Sequence, residues 1–216
     1  ILELKGATVT IDAMGCQKDI AEKIIKKQGD YVLALKGNQG TLAEEVKAWF
    51  HKAHRERFQG IGHDYFEATE QGHGQIEVRR CTQVELDLSW LTNGTQWAGL
   101  ATAIEVESER HIDERITTEK RYYISSHKLD AEQACSIIRS HWAVENKLHW
   151  VLDVTFREDE SRIRRGNGAE VMNALRKITL NLIKQNTTRQ ASMKRKRKLA
   201  ALDDDFRAEI LLGQDL

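Results

Sequence analysis

The stretch Asp130–Asp159 constrains the fold of this chain most, because it places an acid inside an apolar helical repeat. Asp130 followed by Gln133 is a helix-start signature, in which the side chain of the first residue accepts a hydrogen bond. The apolar residues after it recur at helical spacing and form one stripe: Ala134, Ile138, Trp142 and Leu152. At about 100° per residue, Glu145 lies about 20° from Ile138. The sequence therefore predicts a helix that turns a carboxylate towards its own core.

Glu145 needs a partner, because an unpaired buried carboxylate costs several kcal/mol. One interpretation is structural, in which Glu145 pairs with Arg139 or with a histidine inside the core. The other is functional, in which Glu145 faces an active site and holds a metal ion. His141 and His149 lie four residues before and after it, on the same side of the predicted helix. Geometry alone leaves both interpretations open.

Size and composition exclude several classes of protein. The 216 residues suffice for one substantial domain or for one domain with an insertion. No apolar run approaches the roughly 18 residues that a membrane span needs, and no signal peptide is visible. The cysteines are far apart and lack a Cys-x-x-Cys pairing, which predicts reduced thiols in a cytosolic protein: Cys16, Cys81 and Cys135. Because a predicted strand already includes Ala7, we interpret the chain as the later part of a longer polypeptide.

The zero net charge hides a strong asymmetry along the chain. Residues 1–156 carry a net charge of −5, residues 157–200 a net charge of +9, and residues 201–216 a net charge of −4. The segment Arg189–Lys198 holds six basic residues in ten, which suits binding to phosphates through charge. This pattern is typical of an enzyme that handles a polyanion, and also of a soluble basic tail.

The first 60 residues alternate between strand and helix patterns. The predicted elements are a strand over 6–12, a helix over 18–28, a strand over 31–35 and a helix over about 41–57. This order predicts a βαβ unit of a parallel sheet, in which ligands gather at the carboxyl ends of the strands. Asp12 and Lys36 both lie at that edge. Two interpretations of Asp12 stay open here, a functional one and one in which it only caps the helix that follows it.

The pattern changes after residue 64. Residues 65–125 alternate with period two and predict three to five antiparallel strands, inserted before the helix that carries Glu145. Arg79, Arg80 and Trp97 are expected to be exposed there, where they are candidate partner contacts. A further helix over about 169–184 carries an apolar stripe: Val171, Met172, Leu175, Ile178 and Leu182. A last amphipathic helix is predicted over about 199–212.

Two distant acids, Asp12 and Glu145, have the chemistry of a metal site. Carboxylate oxygens are the ligands that Mg²⁺ and Mn²⁺ prefer. Two such ions, roughly 3.5–4 Å apart, stabilise the attacking and leaving oxygens when a phosphodiester is broken. Two carboxylates are too few for two ions, so a third acid is required. Asp64, Asp153 and Asp159 are candidates within the chain, and a residue upstream of Ile1 is a better one.

Four segments, in this order, resemble one family of transposases: VTIDAMGCQKDIAEKI, DYVLALKGNQ, HGQIEVRR and IIRSHWAVENKLHWVLDVTFREDESRIR. They are similar to the H-repeat-associated transposases, which are insertion-sequence enzymes linked to Rhs elements and have an Asp-Asp-Glu catalytic core. The resemblance runs from residue 5 to about residue 185. It implies DNA strand cleavage and strand transfer at transposon ends, with two Mg²⁺ ions in the active site and Mn²⁺ as a substitute.

The resemblance also implies an α/β fold with a ribonuclease-H-like core, whose first strands are missing from this chain. Residues 1–60 would form the parallel βαβα part, residues 61–127 the inserted β region, residues 128–188 the core helices, and residues 189–216 a basic segment and C-terminal helix. Asp12 in TIDAMG matches the second catalytic acid, and Glu145 in HWAVEN matches the third. The first acid has no counterpart here, so we expect this chain to be inactive alone.

This sequence departs from the related enzymes around the glutamate. Where they often carry a Tyr, an Arg and a Lys, it has Ile138, His141 and Leu152. The residues expected to contact DNA are Lys36, Asn38, Arg139, His141, Lys147, Arg162, Arg164 and Arg165. The implied partners are transposon ends, target DNA and a second copy of the full-length protein, and the implied location is the bacterial cytoplasm, at the nucleoid.

Two rival functions follow from the same residues. The first is a non-catalytic DNA-binding remnant of a transposase, in which the acids are idle. The second is a zinc or iron hydrolase built on His141, Glu145 and His149. Their spacing spreads three ligands over about 12 Å of helix, which is too far for all three to bind one ion.

Overall fold

The computed structural model describes residues 3–72, 75–113, 115–144 and 148–213, apart from the side chains of Asn38 and Val144. The chain folds as two compact units, Ile1–His141 and Trp142–Leu216. It is a mixed α/β protein with one six-stranded sheet and seven α-helices in the described ranges. None of the helices in these ranges has the length and apolar character that a membrane crossing requires.

The sheet lies in the first unit. Its strands are β1 Thr8–Ile11, β2 Asp30–Leu35, β3 His63–Gly72, β4 Gln75–Glu85, β5 Thr102–Ile112 and β6 Arg115–Ser125. They are arranged in the order β1-β2-β6-β5-β4-β3. β1 and β2 are parallel, with Ile11 opposite Leu33, as the βαβ pattern predicts. All other pairs are antiparallel, and β6 pairs directly with β2 through Val32 and Ser125. The four antiparallel strands therefore continue the same sheet as the parallel pair.

Helices α1 Lys18–Lys26 and α2 Gly40–Arg55 pack with one face of this sheet. Alternate residues of β2 point into that core because side chains of a strand alternate between faces: Tyr31, Leu33 and Leu35. Val46 and Phe50 of α2 are fully buried in the same cluster. The Tyr31 hydroxyl donates a hydrogen bond to the Ala98 carbonyl at 3.0 Å, so this large side chain is buried without an unpaired polar group.

Helix α3 Ala131–Val144 contacts the opposite face. The buried Gln83 of β4 accepts a hydrogen bond from the Asp130 backbone N–H at 2.8 Å, and its amide donates to Thr102 Oγ1 and to the Lys128 carbonyl. Two residues along β4, Cys81 hydrogen-bonds Cys135 of α3. Cys81 and Gln83 are about 7 Å apart along β4, and Asp130 and Cys135 are about 7.5 Å apart along α3. Because these two distances are nearly equal, both contacts form at once.

The predicted start of α3 is confirmed. The side chain of Asp130 accepts a hydrogen bond from the backbone N–H of Gln133 at 2.8 Å. The hydrogen bond between the two thiols raises the pKa of Cys81 and lowers the pKa of Cys135. All three cysteines are free and buried. Helix α3 therefore begins where the sequence indicates, and its first turns contact Gln83 and Cys81 of β4.

The second unit is helical in its described part. Its helices are α4 Trp150–Phe156, α5 Gly168–Gln185, α6 Met193–Leu202 and α7 Asp204–Leu212. Small apolar clusters join them, one containing Leu152 and Leu180 and another containing Ile183 and Phe206. Helix α5 lies where the sequence predicts it, but three residues of its predicted stripe are exposed: Val171, Leu175 and Ile178.

The expected exposure of Trp97, Arg79 and Arg80 is wrong. Trp97 is only 3% exposed and belongs to the core cluster of α1 and α2. Arg79 donates to Glu77 at 2.6 Å, and both side chains are largely buried. The guanidinium of Arg80 is bonded to carboxylates of two neighbouring strands, β3 and β5: Glu67, Glu107 and Glu109. These side chains are engaged in the core and in the sheet of the first unit, so they are poor candidates for contacts with a partner.

We expect Gln83→Leu to lower the free energy of unfolding by about 2–4 kcal/mol, because it leaves the Asp130 N–H and the Lys128 carbonyl without their partner. Urea unfolding followed by circular dichroism measures this change. The control is Gln71→Leu on exposed β3, which should change stability by less than about 0.5 kcal/mol. Equal effects of the two substitutions would contradict the role given to Gln83.

Candidate active site

Asp12 follows the last residue of β1, at the carboxyl end of the parallel pair. Its backbone carbonyl accepts a hydrogen bond from Gly15 at 2.9 Å, in the short 3₁₀ turn Ala13–Gly15. Its side chain makes no capping hydrogen bond to that turn, and α1 begins only at Lys18. The interpretation of Asp12 as a helix cap is therefore wrong. The carboxylate is 57% exposed.

His141 of α3 contacts Asp12. Its Nε2 lies 3.3 Å from Asp12 Oδ1, and its Nδ1 lies 3.0 Å from the hydroxyl oxygen of Thr10. Thr10 and Asp12 are two residues apart along the β1 segment, so both point to the side on which α3 lies. Both ring nitrogens of His141 are engaged, which disfavours the alternative in which His141 binds zinc or iron. Sequence reasoning missed Thr10, although its alternation with Asp12 was visible in the sequence.

Two predicted site residues lie outside the described part of the chain. Glu145, the matched third acid, is four residues beyond His141 in the sequence, and Lys147 is six residues beyond it. The structure therefore establishes the surroundings of Asp12 but gives no position for its expected partner.

The other residues predicted around this site are dispersed. Lys36 follows β2 and is exposed, at the same carboxyl edge as Asp12. Asn38 lies in the 3₁₀ turn Gly37–Gln39, but its side chain is outside the described part. Arg139 forms an ion pair with Glu70 of β3. Of the predicted DNA contacts described in the first unit, only His141 touches Asp12.

Asp64, one candidate for the third acid, has a structural role. Its Oδ2 accepts a hydrogen bond from the Ala131 N–H, and its Oδ1 accepts one from the Tyr65 N–H, at 2.8 and 2.9 Å. Ala131 and His141 are ten residues apart, or about 15 Å along a helix. Asp64 thus binds the end of α3 remote from Asp12, and the expectation that it completes the metal site is wrong. The other two candidates, Asp153 and Asp159, belong to the second unit.

The carboxylate of Asp12 fits one position in a magnesium site. Its Oδ2 makes no hydrogen bond within the described residues, it is exposed, and it is a hard oxygen donor of the kind that Mg²⁺ prefers. His141 holds the other oxygen. Across the described ranges, no group of three or more His, Cys, Asp or Glu side chains is arranged to hold a metal ion. The described residues therefore supply part of such a site.

Three arginines of one segment in the second unit are exposed. Arg162, Arg164 and Arg165 lie between α4 and α5 and are exposed. Arg164 Nη1 donates to the carbonyls of Ser161 and Ile163 at 2.9 and 3.0 Å, which holds its guanidinium close to this loop. Their charge and exposure suit contact with phosphates.

The basic segment Arg189–Lys198 contains two kinds of residue. Lys196 is buried, and its Nζ donates to the Asn186 carbonyl at 2.5 Å. Arg197 donates to the Thr155 carbonyl and lies over the ring of Phe156. Arg189 is bonded to Asp203 and lies over Phe206. The remaining three are exposed: Lys194, Arg195 and Lys198. Half of the charges expected to meet phosphates thus hold the helices of this unit together.

Comparison with known proteins identifies the family to which the chain belongs. Residues 1–182 match the family described as "Transposase DDE domain", and the chain belongs to this family. It is 40% identical to "H repeat-associated putative transposase YhhI" of Escherichia coli (strain K12) and 41% identical to "Putative protein YbfL" of the same strain. Both alignments cover 100% of the chain and 57% of the relative.

A third relative supports membership of the same family. The chain is 41% identical to "Putative transposase YncI" of Escherichia coli O157:H7, over 98% of its own length and 54% of that of the relative. The chain therefore spans little more than half the length of these relatives. The resemblance to H-repeat-associated transposases is confirmed.

We expect Lys196→Met to lower the stability of the second unit by about 1–3 kcal/mol, because the buried Asn186 carbonyl loses its donor. Thermal unfolding measured by circular dichroism tests this. Lys194→Met on the exposed side of the same helix is the control and should leave the midpoint unchanged within about 1 °C. If both variants unfold alike, Lys196 is a surface residue in solution.

Proposed function

We propose that this chain is the C-terminal portion of the catalytic domain of a DNA transposase, which cleaves and joins DNA strands at the ends of an insertion sequence. The observation that supports this most directly is the contact of His141 with Asp12. His141 belongs to the motif HWAVEN, in which the third acid is expected, and Asp12 is the acid of the motif TIDAMG. The contact therefore connects these two motifs. Membership of the DDE transposase family supports the same reaction class.

In the proposed site, Asp12 and Glu145 are ligands of Mg²⁺, for which Mn²⁺ can substitute. When bound, a pair of such ions would stabilise the attacking and leaving oxygens at the phosphodiester. The exposed Oδ2 of Asp12 would bind the cation while His141 holds Oδ1. The mixed sheet, in which a parallel pair leads to Asp12, is compatible with a ribonuclease-H-like core.

The first acid of the Asp-Asp-Glu set is proposed to come from outside these 216 residues. Asp64 binds the end of α3 that is remote from Asp12. It therefore does not supply the first acid in the described part of the first unit. We therefore propose that this chain alone does not cleave or join DNA. The relatives, of which it covers 54–57%, are long enough to contain the missing acid.

The proposed macromolecular partner is DNA, at transposon ends and at the target, within the bacterial cytoplasm and nucleoid. The exposed arginines Arg162, Arg164 and Arg165 would bind phosphates, and so would the exposed residues Lys194, Arg195 and Lys198. Lys36, Asn38, Arg139, His141 and Lys147 stay predictions as DNA contacts. Of these, Arg139 would have to exchange Glu70 for a phosphate. The full-length protein is proposed to act as a homodimer on DNA.

Asp12→Asn should abolish the binding of Mn²⁺ near β1, because the neutral amide is a much weaker ligand than a carboxylate. Broadening of the backbone amide signals of Ala13–Gly15 in a Mn²⁺ titration of the ¹⁵N-labelled chain measures this. The control is Asp19→Asn, a change of the same type at an acid of α1. Mn²⁺-dependent nicking of DNA by the chain that persists after Asp12→Ala would contradict the proposed function.

Replacing Arg162, Arg164 and Arg165 together by Ala should weaken DNA binding and lower the slope of log affinity against log salt by about 2–3, roughly 0.9 for each phosphate that is no longer neutralised. Fluorescence anisotropy with a labelled duplex at several salt concentrations measures both quantities. A triple variant of exposed basic residues in α1 and α2 is the charge-matched control: Lys23, Lys26 and Arg55. Equal reductions in the two variants would show that net charge alone decides binding.

A further inference from the structure

We propose that Thr10 and His141 are positioning residues for Asp12, and that together they hold one carboxylate oxygen so that the other faces a divalent cation. This inference rests on the proposed metal-dependent reaction and assigns to His141 a role other than contact with DNA. Three side chains carry it, in a continuous chain of contacts from Thr10 Oγ1 through the imidazole to Asp12 Oδ1.

The chain of contacts runs from the sheet towards solvent. Thr10 lies inside β1, next to Val32 of β2 in the parallel ladder. The imidazole of His141 is 23% exposed, whereas the carboxylate of Asp12 is more than half exposed. The ring thus connects a strand residue, fixed by backbone pairing, to a side chain that would otherwise rotate freely in water. Fixing that rotation favours metal binding because a ligand held in place loses less entropy on binding.

The hydrogen-bonding capacity of the three groups fixes the donor in the contact between His141 and Asp12. An ionised carboxylate only accepts, so Nε2 of His141 must donate to Asp12 Oδ1. The Thr10 hydroxyl lies 3.0 Å from Nδ1 and, because it can both donate and accept, it pairs with this nitrogen whether or not Nδ1 carries a proton. The two ring nitrogens are therefore held between the Thr10 hydroxyl and the Asp12 carboxylate. Such outer hydrogen bonds fix the orientation of metal ligands and typically change metal affinity by about 10–100-fold when removed.

The same geometry disfavours a direct role of His141 on DNA. His141 stands where related enzymes often carry an arginine, which suggested contact with a phosphate. The Nε2–H of His141 is directed at Asp12, and its Nδ1 lies against the Thr10 hydroxyl. Contact with a phosphate would break the contact with Asp12. Positioning and phosphate binding therefore exclude each other at this residue, and an experiment can separate them.

Thr10→Val tests the inference, because it removes the hydroxyl and keeps the shape of the side chain. Thr10→Ser restores the hydroxyl. The matched control is Thr8→Val, two residues earlier in β1, whose hydroxyl contacts the ring of a different histidine, His127, at 2.9 Å. We expect Thr10→Val to weaken Mn²⁺ binding at Asp12 about tenfold, with Thr10→Ser near the unmodified chain and Thr8→Val without effect. Broadening of the Ala13–Gly15 amide signals reports the affinity.

A second measurement follows the imidazole itself, without metal. ¹⁵N NMR of the histidine rings should show His141 protonated on Nε2 in the unmodified chain, and a loss of that single form in Thr10→Val. DNA affinity should stay unchanged in Thr10→Val. If it falls while Mn²⁺ binding is retained, His141 binds phosphate and the inference is overturned. Unaltered Mn²⁺ binding and an unaltered ring in Thr10→Val also overturn it.

The outcomes separate this inference from the proposed function. If Asp12→Asn abolishes Mn²⁺ binding but Thr10→Val leaves it unchanged, the metal site stands and only the positioning role fails. If Asp12→Asn leaves Mn²⁺ binding unchanged, there is no metal site at this carboxylate and both fail. Far-UV circular dichroism and the thermal midpoint of Thr10→Val establish that a lower affinity does not reflect unfolding.

Discussion

The attachment of α3 to both edges of the sheet is the constraint on which the candidate site depends. At its first turn, the helix is bonded to Asp64 of β3 and, through Gln83, to β4. Ten residues later, His141 contacts Thr10 of β1, the strand at the opposite edge. Because both ends are anchored, the position of His141 relative to Asp12 is set by the length of a rigid helix and not by a loop.

These anchors also explain why polar side chains are buried in an otherwise apolar interface. Gln83 accepts one hydrogen bond and donates two at the entrance to α3, where the first backbone N–H groups of a helix lack partners. The thiols of Cys81 and Cys135 contact each other one turn further on. An apolar interface of the same size would allow the helix to slide, whereas directional hydrogen bonds fix its register.

The sequence was informative where local rules decide the outcome. Period-two alternation located the antiparallel strands, and the acid at residue 130 located the start of α3. Prediction from the sequence failed where tertiary contacts determine whether a side chain is buried. Trp97 is buried because the core of α1 and α2 reaches it, and Lys196 is buried although it stands among exposed cations. The link from His141 to Thr10 joins residues 131 positions apart, and no local pattern encodes it.

The edge position of β1 has a consequence for the architecture of any longer protein. In the described part of the chain, β1 pairs with β2 on one side only, so its other row of backbone N–H and C=O groups is open to strand addition. An incoming strand would lie about 4.8 Å away. A side chain on that strand, level with residue 12, would lie beside Asp12. Because an open edge pairs with an extended segment that reaches it, this border of the sheet is where strand addition would occur.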